Sequence, residues 1–432
     1  MRKIIFLSSA FAGFIFSINV SAQNTAYGSN ALISNTTGNF NSAFGAYALY
    51  TNTTGSTNAA GGINALFSNT SGAYNTANGS NALYSNTTGN FNTATGAYTL
   101  YYTSTGSNNT GSGYKALNFN TTGSQNTAIG ALSLYSNTSG TYNTAIGATS
   151  LYNNTTGALT TAIGVNSLYN NTTGSSNTAI GTNTLYLNTS GSYNNALGAD
   201  ALYNNTTGNN NTSNGFNTLK TNSTGSYNTA VGSYVLFGNT TGNNNIGIGH
   251  YALVSSTTGS NNTVIGYYSG GGITTGSNNT IIGANVTGLS SGLSNTIILA
   301  DGSGNQRIVV NSNGQVSIGS GMTTPSGYKL FVADGILTEK VKVALKTSGD
   351  WADHVFDKNY KLVPLKEVEN FIKNNKHLPG VASADELVKE GGIDMQQMFA
   401  KQMEKIEELT LYIIEQNKRI EKLEQTIREH KK

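Results

Sequence analysis

The chain has 432 residues, of which 52 are glycine, three are proline and none is cysteine. The lack of cysteine excludes a disulfide framework and thiolate chemistry. The net charge is +3, but nineteen of the twenty acidic residues follow residue 300, and residues 23–300 are nearly neutral. That region has no basic stripe, so we predict no nucleic-acid partner.

Residues 1–22 predict a secretory signal peptide. Arg2 and Lys3 precede an apolar stretch from Ile4 to Val20, and Val20-Ser21-Ala22 supplies small residues for cleavage. A membrane anchor is the alternative, although several Ser and Gly residues interrupt the stretch. No cysteine follows for a lipid anchor, and no other segment has the apolar length of a transmembrane helix. We therefore expect an exported product that is extracellular or on the outer cell surface, without a transmembrane anchor.

Residues 23–283 repeat with a period of seventeen, and the clearest copy reads NTAIGATSLYNNTTGAL at residues 143–159. One glycine recurs at every seventeenth position from Gly28 to Gly283, and a second does so from Gly38 to Gly276. Leucine occupies one position in fourteen consecutive copies, from Leu32 to Leu253. A fixed period without insertions is the signature of a solenoid.

The residue types favour a β-solenoid over a helical array. Each repeat has two glycines and several Asn, Ser and Thr residues, which helices disfavour. The runs TAIG and SLY, separated by NTTG, are typical of short strands joined by turns. We therefore predict a mostly β fold, a β-solenoid or β-roll of about sixteen coils. Coils stacked at the strand spacing of about 4.8 Å would form a rod of roughly 75 Å.

Stacked coils place equivalent residues above one another, so the sequence predicts ladders. We expect the leucines to form a buried spine and the residues before the first glycine to form a second, weaker spine. Asn side chains can pair up the stack, and the glycines suit corners with positive φ. The Leu spine comprises Leu134, Leu151, Leu168, Leu185 and Leu202, and the second comprises Ile129, Ile146, Ile163, Ile180 and Leu197.

The residue after the leucine is usually aromatic. Because neighbouring strand residues face opposite sides, an inward Leu predicts an outward stripe of Tyr135, Tyr152, Tyr169, Tyr186 and Tyr203. This tyrosine stripe can be an interface between chains, a platform for sugars, or aromatic stacking within one chain. The threonines of NTTG form another regular array, which leaves an ice-binding solenoid as a further alternative.

Beyond residue 283 the repeat stops. Residues 284–345 contain short apolar runs separated by Asn-Gly, Asp-Gly and Ser-Gly, and predict a β-rich neck. Residues 346–394 include the only Trp and a segment with helical spacing after Pro364, and predict a small α+β module. The chain therefore changes from a repeat to a compact module before its last segment.

Residues 395–432 predict a long helix with a heptad repeat. Apolar residues at a and d positions are typical of a coiled-coil seam, although an amphipathic helix packed on its own chain is the alternative. Ile at a and Leu at d favour a two-stranded coiled coil, but Gln402 and Gln416 also occupy d positions. The predicted core comprises Ile406, Leu409, Ile413, Ile420, Leu423 and Ile427.

The motif NTAIG followed by ALY and NTTG resembles the head repeats of trimeric autotransporter adhesins, the YadA-like heads, over residues 24–283. The resemblance implies a β-roll in which three chains pack side by side, with a longer coil here. The run NTIILADGSGNQRIVV and the segment GIDMQQMFAKQMEKIEELT resemble the ends of tail-fibre-like proteins and their intramolecular chaperone domains. Some of those domains cleave themselves with a Ser followed by a Lys, whereas here Lys346 precedes Ser348.

No catalytic constellation emerges from the sequence. The four histidines lack metal-ligand spacing, and no glycine-rich motif has a phosphate-binding context. We predict no cofactor, no metal and no enzyme activity. The expectation is a fibrous adhesin-like protein, a homotrimer with a dimer left open, in which Tyr152 and Tyr169 are shielded and a host-surface or glycan receptor is bound. The alternatives are a fibre that cleaves itself through Ser348 and a free ice- or glycan-binding solenoid.

Overall fold

A computed structural model describes residues 24–319, 326–344, 347 and 351–431. The expected signal peptide, residues 1–22, and the candidate self-cleavage residues Lys346 and Ser348 lie outside the described residues. The chain divides into two units, Met1–Asp334 and Gly335–Lys432.

The first unit contains the predicted β-solenoid. Each coil contributes one short strand, and each strand pairs in parallel with the strand seventeen residues further on, as Ala145 does with Ala162. The parallel strands are β1 Thr25–Tyr27, β2 Ser42–Phe44, β3 Ala59–Gly61, β4 Thr76–Asn78, β5 Thr93–Thr95, β6 Thr110–Ser112, β7 Thr127–Ile129, β8 Thr144–Ile146, β9 Thr161–Ile163, β10 Thr178–Ile180, β11 Asn195–Leu197, β12 Thr212–Asn214, β13 Thr229–Val231, β14 Ile246–Ile248, β15 Thr263–Ile265, β16 Thr280–Ile282 and β17 Ile297–Ala300. The fixed offset confirms the solenoid fold and its 17-residue coil.

The seventeen-residue offset continues one coil beyond the last ladder glycine. Thr280 of β16 lies opposite Ile297 of β17, although the residues between the two strands no longer follow the repeat. Three further strands complete the sheet, namely β18 Gln306–Val310, β19 Val316–Ile318 and β20 Leu330–Val332. Because β18 is antiparallel to β17, a hairpin closes the C-terminal edge of the parallel sheet, which would otherwise expose unpaired backbone groups.

The SLY run, predicted as a second strand in each coil, is a turn. Leu151 and Leu168 have φ angles of 50° and 52°, in the left-handed region that costs a residue with a side chain about 1–2 kcal/mol. Burial of a Leu side chain gains about 1.5–3 kcal/mol, which offsets that strain. The Leu168 N–H also donates to the carbonyl of Thr184 in the next coil, at 2.9 Å. The leucines therefore point inward because of turn geometry, and strand alternation is not the cause.

The five leucines of the predicted spine lie in the centre of the rod. Leu134, Leu151, Leu168, Leu185 and Leu202 are completely buried, as expected. The second predicted spine is wrong, because Ile129, Ile146 and Leu197 are 43%, 36% and 44% exposed, and the small residue before each of them is buried. The second core column therefore consists of Ala128, Ala145, Ala162, Ala179 and Ala196.

Lack of space explains why small residues form this second column. In a three-residue strand only the middle side chain points inward, and in the TAI strands that residue is Ala. Where Gly111 replaces the Ala, a Cβ atom would lie 2.6 Å from Cγ2 of Thr99. The interior beside the Leu spine is thus narrow, and larger residues, the buried Val264 and Ile281, occupy this column only where the spine ends at Leu253.

The two glycine ladders have different causes. The first ladder, Gly28 to Gly283, has φ between 118° and 148°, as predicted for corners that only glycine adopts readily. The second ladder does not have positive φ, so that part of the prediction is wrong. At Gly157 a Cβ atom would lie 2.4 Å from Oδ1 of Asn154 and 2.5 Å from the carbonyl oxygen of Gly174. The second ladder is glycine because neighbouring coils leave no room for a side chain.

Buried asparagines link the coils on two sides of the rod. In the predicted column, Nδ2 of Asn126 donates to Oδ1 of Asn109 at 3.1 Å and to the Gly140 carbonyl at 2.9 Å. The asparagine of NTTG forms a second column that was not predicted. There, Nδ2 of Asn154 donates to Oδ1 of Asn137 at 2.8 Å. In both columns the buried amides thus pair between neighbouring coils, which meets most of their need for hydrogen-bond partners.

The second unit is helical. A short 3-10 helix, Asp353–Phe356, is followed by α1 Leu365–Asn375, α2 Ala384–Glu390 and α3 Met395–His430. Ser383 and Glu386 form a capping box at the start of α2, and Gly391 ends it with φ of 80°. The 36-residue helix α3 begins after Asp394, whose side chain accepts a hydrogen bond from the Gln397 N–H. The predicted long helix therefore forms. Residues 346–394, predicted as a small α+β module, contain helices but no strand among the residues that the structure describes.

Candidate interaction surfaces

The tyrosine stripe forms face-to-face stacks on the surface of the rod. The ring centroids of Tyr152 and Tyr169 are 5.0 Å apart and their planes differ by 3°. Tyr135 stacks on Tyr152 at 5.0 Å, and Tyr186 stacks on Tyr203 at 5.1 Å. The spacing follows the coil rise, since each ring sits one coil above its neighbour. All five rings are half-buried.

Two polar residues interrupt the stripe, although Tyr102 and Phe119 continue the ring contacts past the first of them. Asn118 takes the aromatic position in its coil, and its Nδ2 donates to the Tyr98 carbonyl at 2.8 Å. Lys220 ends the second stack, with its ammonium group 5.9 Å from the ring centroid of Tyr203. The same Lys220 forms an ion pair with Asp200 at 3.1 Å. One stack therefore runs from Tyr50 to Tyr101 and the other from Tyr135 to Tyr203.

Stacking limits what the tyrosine stripe can bind. Inside a stack both faces of a ring are covered by its neighbours, so only ring edges and hydroxyl groups remain accessible. Burial, and then the neighbouring Tyr135 and Tyr169, raise the pKa of the Tyr152 hydroxyl above its ordinary value. A sugar that stacks on an aromatic face would find no free face within the stripe. The stacking observed within one chain is the simplest role for these rings.

The outward face of the parallel sheet carries a second stripe, which we call the isoleucine column. It consists of the third residue of each strand from β7 to β17. Ile129, Ile146, Ile163, Ile180, Leu197, Val231, Ile248, Ile265, Ile282 and Leu299 belong to it, with Asn214 as a polar interruption. Of the apolar members, Ile163 and Ile180 are half-buried, and the others are 36–44% exposed. Sequence reasoning placed part of this column in the core and therefore missed it as a surface.

The predicted coiled-coil core lies on an exposed face of α3. Ile406, Leu409, Ile413, Ile420, Leu423 and Ile427 are between 52% and 62% exposed. The contacts of α3 with its own chain involve other residues. The carboxylate of Glu408 accepts a hydrogen bond from the Tyr360 hydroxyl, the Tyr412 hydroxyl donates to the Val363 carbonyl, and Glu407 is buried. The heptad face of α3 is thus left open within the single chain.

An open apolar groove borders the N-terminal part of this heptad face. The groove has a volume of about 360 Å³ and lies between α1, α3 and the loop around Pro379. Leu365 and Val368 of α1 line one wall, and Ile406 and Leu409 of α3 line the other. Lys405 sits at its edge between Glu404 and Glu408, at 3.1 Å and 2.7 Å. The heptad face and α1 therefore form one continuous apolar surface in the second unit.

No group of three or more His, Asp or Glu residues within 24–319, 326–344 and 351–431 could hold a metal ion. No helix among the described residues is long and apolar enough to cross a membrane. His250, the one histidine of the rod, contacts Tyr251 and Tyr267. No protein-family model, curated protein or solved structure matches the chain.

Proposed function

We propose that this chain is an exported fibrous protein of the cell surface with an adhesin-like role. The rod forms the exposed shaft or head, and the helical unit joins three copies of the chain. The observation that carries the proposal is the open heptad face of α3, whose six core residues are more than half exposed. Exposed apolar residues at heptad spacing over several turns are typical of helices that associate with a second helix.

The rod has the properties that a shaft requires. Its coils are linked by a parallel sheet, a continuous Leu spine and two columns of paired asparagines, so each coil is held by its neighbours. The repeat region has almost no charge and contains no disulfide that a reducing environment could break. Such a rod suits a role in which a binding surface is held away from the cell. A soluble enzyme would instead need a cleft with converging polar groups.

Stacking of the tyrosines argues for a structural role of the stripe within this function. A receptor that is a glycan would have to bind at ring edges, hydroxyls or the neighbouring Thr and Asn side chains. Self-cleavage remains the competing function, and it depends on Ser348. Replacing Ser348 with Ala in the producing cell tests it, because a product that shortens only when Ser348 is present would identify a self-processing fibre.

Attachment of the producing cells to a surface tests the proposed function. Deleting residues 24–283 from the chromosomal copy should reduce attachment to a surface severalfold, while the remaining residues 284–432 are still exported. A matched control removes residues 131–232, which comprise six whole coils. That variant keeps the coil register and should retain more attachment than the full deletion. Unchanged attachment after removal of residues 24–283 would contradict an adhesin role.

A further inference from the structure

We propose that the isoleucine column is the surface through which copies of this chain pack side by side, parallel and in register. The partner is a second copy of the same chain. The inference deepens the proposed assembly and rests on it for the parallel arrangement of chains. It moves the contact between rods from the tyrosine stripe to the outward face of the sheet.

The column is an apolar surface without a partner in the single chain. Ten of its eleven residues between Ile129 and Leu299 are Ile, Leu or Val. At about 4.8 Å for each coil, the column extends for roughly 50 Å along the rod. Neighbouring positions add Val165, Phe216 and Tyr267, which are 48%, 45% and 55% exposed. A contiguous exposed apolar strip of this kind marks an interaction site in a soluble protein.

The spacing of the column identifies the partner. Apolar side chains recur once in every coil, so a partner that contacts the whole strip must present side chains with the same rise. A second copy of this rod has that rise throughout its length. Charge also permits contact between identical surfaces. Asp200 and Lys220 are the only charged residues between residues 127 and 299, and they form an ion pair with each other.

The position of the column along the chain agrees with assembly from the C-terminal end. The apolar run, interrupted only at Asn214, begins at Ile129 and extends to Leu299, whereas the same position in the earlier coils holds Tyr27, Phe44, Gly61, Asn78, Thr95 and Ser112. The apolar coils are thus the ones nearest in sequence to α3. Parallel chains joined through α3 would bring equal coils to equal heights, so each residue of the column would meet its own counterpart.

The area of the strip indicates how much the isoleucine column and α3 each contribute to the association of chains. A strip of roughly 50 Å by 10 Å offers about 500 Å² per chain, below the about 800 Å² per partner of a stable interface. The column therefore cannot hold rods together alone at low concentration. We infer that α3 determines the number of chains and that the isoleucine column determines which faces of the rods meet.

Cysteine cross-linking tests this inference directly, because the chain contains no cysteine. The full chain carrying Ile146→Cys should form a disulfide between two copies under mild oxidation, since equal positions face each other. Two controls place a cysteine elsewhere on the same part of the rod. Thr156→Cys is an exposed position away from the sheet face, and Asn153→Cys lies next to the tyrosine stripe. The cross-linked fraction should be severalfold higher for Ile146→Cys than for either control.

Register is tested by mixing two variants. Co-expressed Ile129→Cys and Ile282→Cys chains should cross-link with their own kind, because a mixed disulfide would require antiparallel or shifted rods. Preferential cross-linking through Asn153→Cys would overturn the inference in favour of the tyrosine stripe. Equal cross-linking at all positions, or none at Ile146→Cys in an oligomeric chain, would also overturn it. Cross-linking is measured independently of cell attachment. If the adhesin function were disproved, the expected cross-linking result would be unchanged.

Discussion

At the scale of single residues, the two asparagine columns show what each coil contributes to stability. The NTTG column is interrupted at Thr103, where the chain has no Asn, and Oδ1 of Asn86 and the Thr103 hydroxyl are buried without a hydrogen-bond partner. A similar interruption at Ser256 leaves Oδ1 of Asn239 without a partner. A buried polar atom without a partner costs about 1–3 kcal/mol. These interruptions are therefore weak points of the rod.

Restoring the column should stabilise the rod. The backbone of Thr103 makes the same turn as the column asparagines, with its N–H donating to the Leu100 carbonyl at 3.2 Å. In Thr103→Asn the new amide can donate to Asn86 and accept from Asn120, so we expect the free energy of unfolding to rise by about 1–3 kcal/mol. Denaturant unfolding measures the change, and Thr105→Asn, at an exposed position of the same turn, is the control. A variant no more stable than the parent would contradict the account of the column.

At the scale of elements, the Leu spine forms the hydrophobic core of the coils. A charge placed in it would be buried without a partner, which costs several kcal/mol. Leu168→Asp should therefore unfold the coils around it and lower the unfolding midpoint strongly, as circular dichroism during heating would show. Leu159→Asp is the matched control, because Leu159 is 61% exposed. Equal melting of the two variants would mean that the spine is not the core.

The sequence predicted the coil well because the repeat itself carries the information. A constant period makes every strand pair with the next at one offset, so the register of β1 to β16 follows from the position of one glycine. The sequence also predicts a last strand at residues 295–299, but the loss of the repeat after residue 283 gave no sign that β17 keeps the seventeen-residue offset. The predicted helix α3 forms because its heptad pattern extends over several repeats and contains no proline or glycine.

The sequence did not identify which apolar column is core. Ile and Leu are both apolar, so residue type alone does not show which of the two columns is buried. The limited space beside the Leu spine is apparent only from the structure. Two signals were nevertheless present. Strand alternation within TAI assigns Ala and Ile to opposite faces, and the Ile position becomes Asn78, Thr95 or Ser112 in other coils. A column that tolerates such polar residues is exposed, whereas the Leu column tolerates none over fourteen coils.

At the scale of the whole molecule, two apolar surfaces of different kinds are left open by one chain. The isoleucine column lies on the rod, and the heptad face lies on α3. Both are explained if copies of the chain associate, with α3 joining the chains and the rods meeting along their sheets. Association of this kind requires that the native particle contain more than one chain.

The mass of the full chain in solution tests this claim most directly. Light scattering of the purified protein should give three times the mass of one chain, and the Ile420→Asp variant should reduce it because a charge in the heptad seam opposes association. Gln425→Asp adds the same charge to α3 outside the predicted core and should leave the mass unchanged. A parent protein with the mass of one chain, at concentrations where it is folded, would contradict the account.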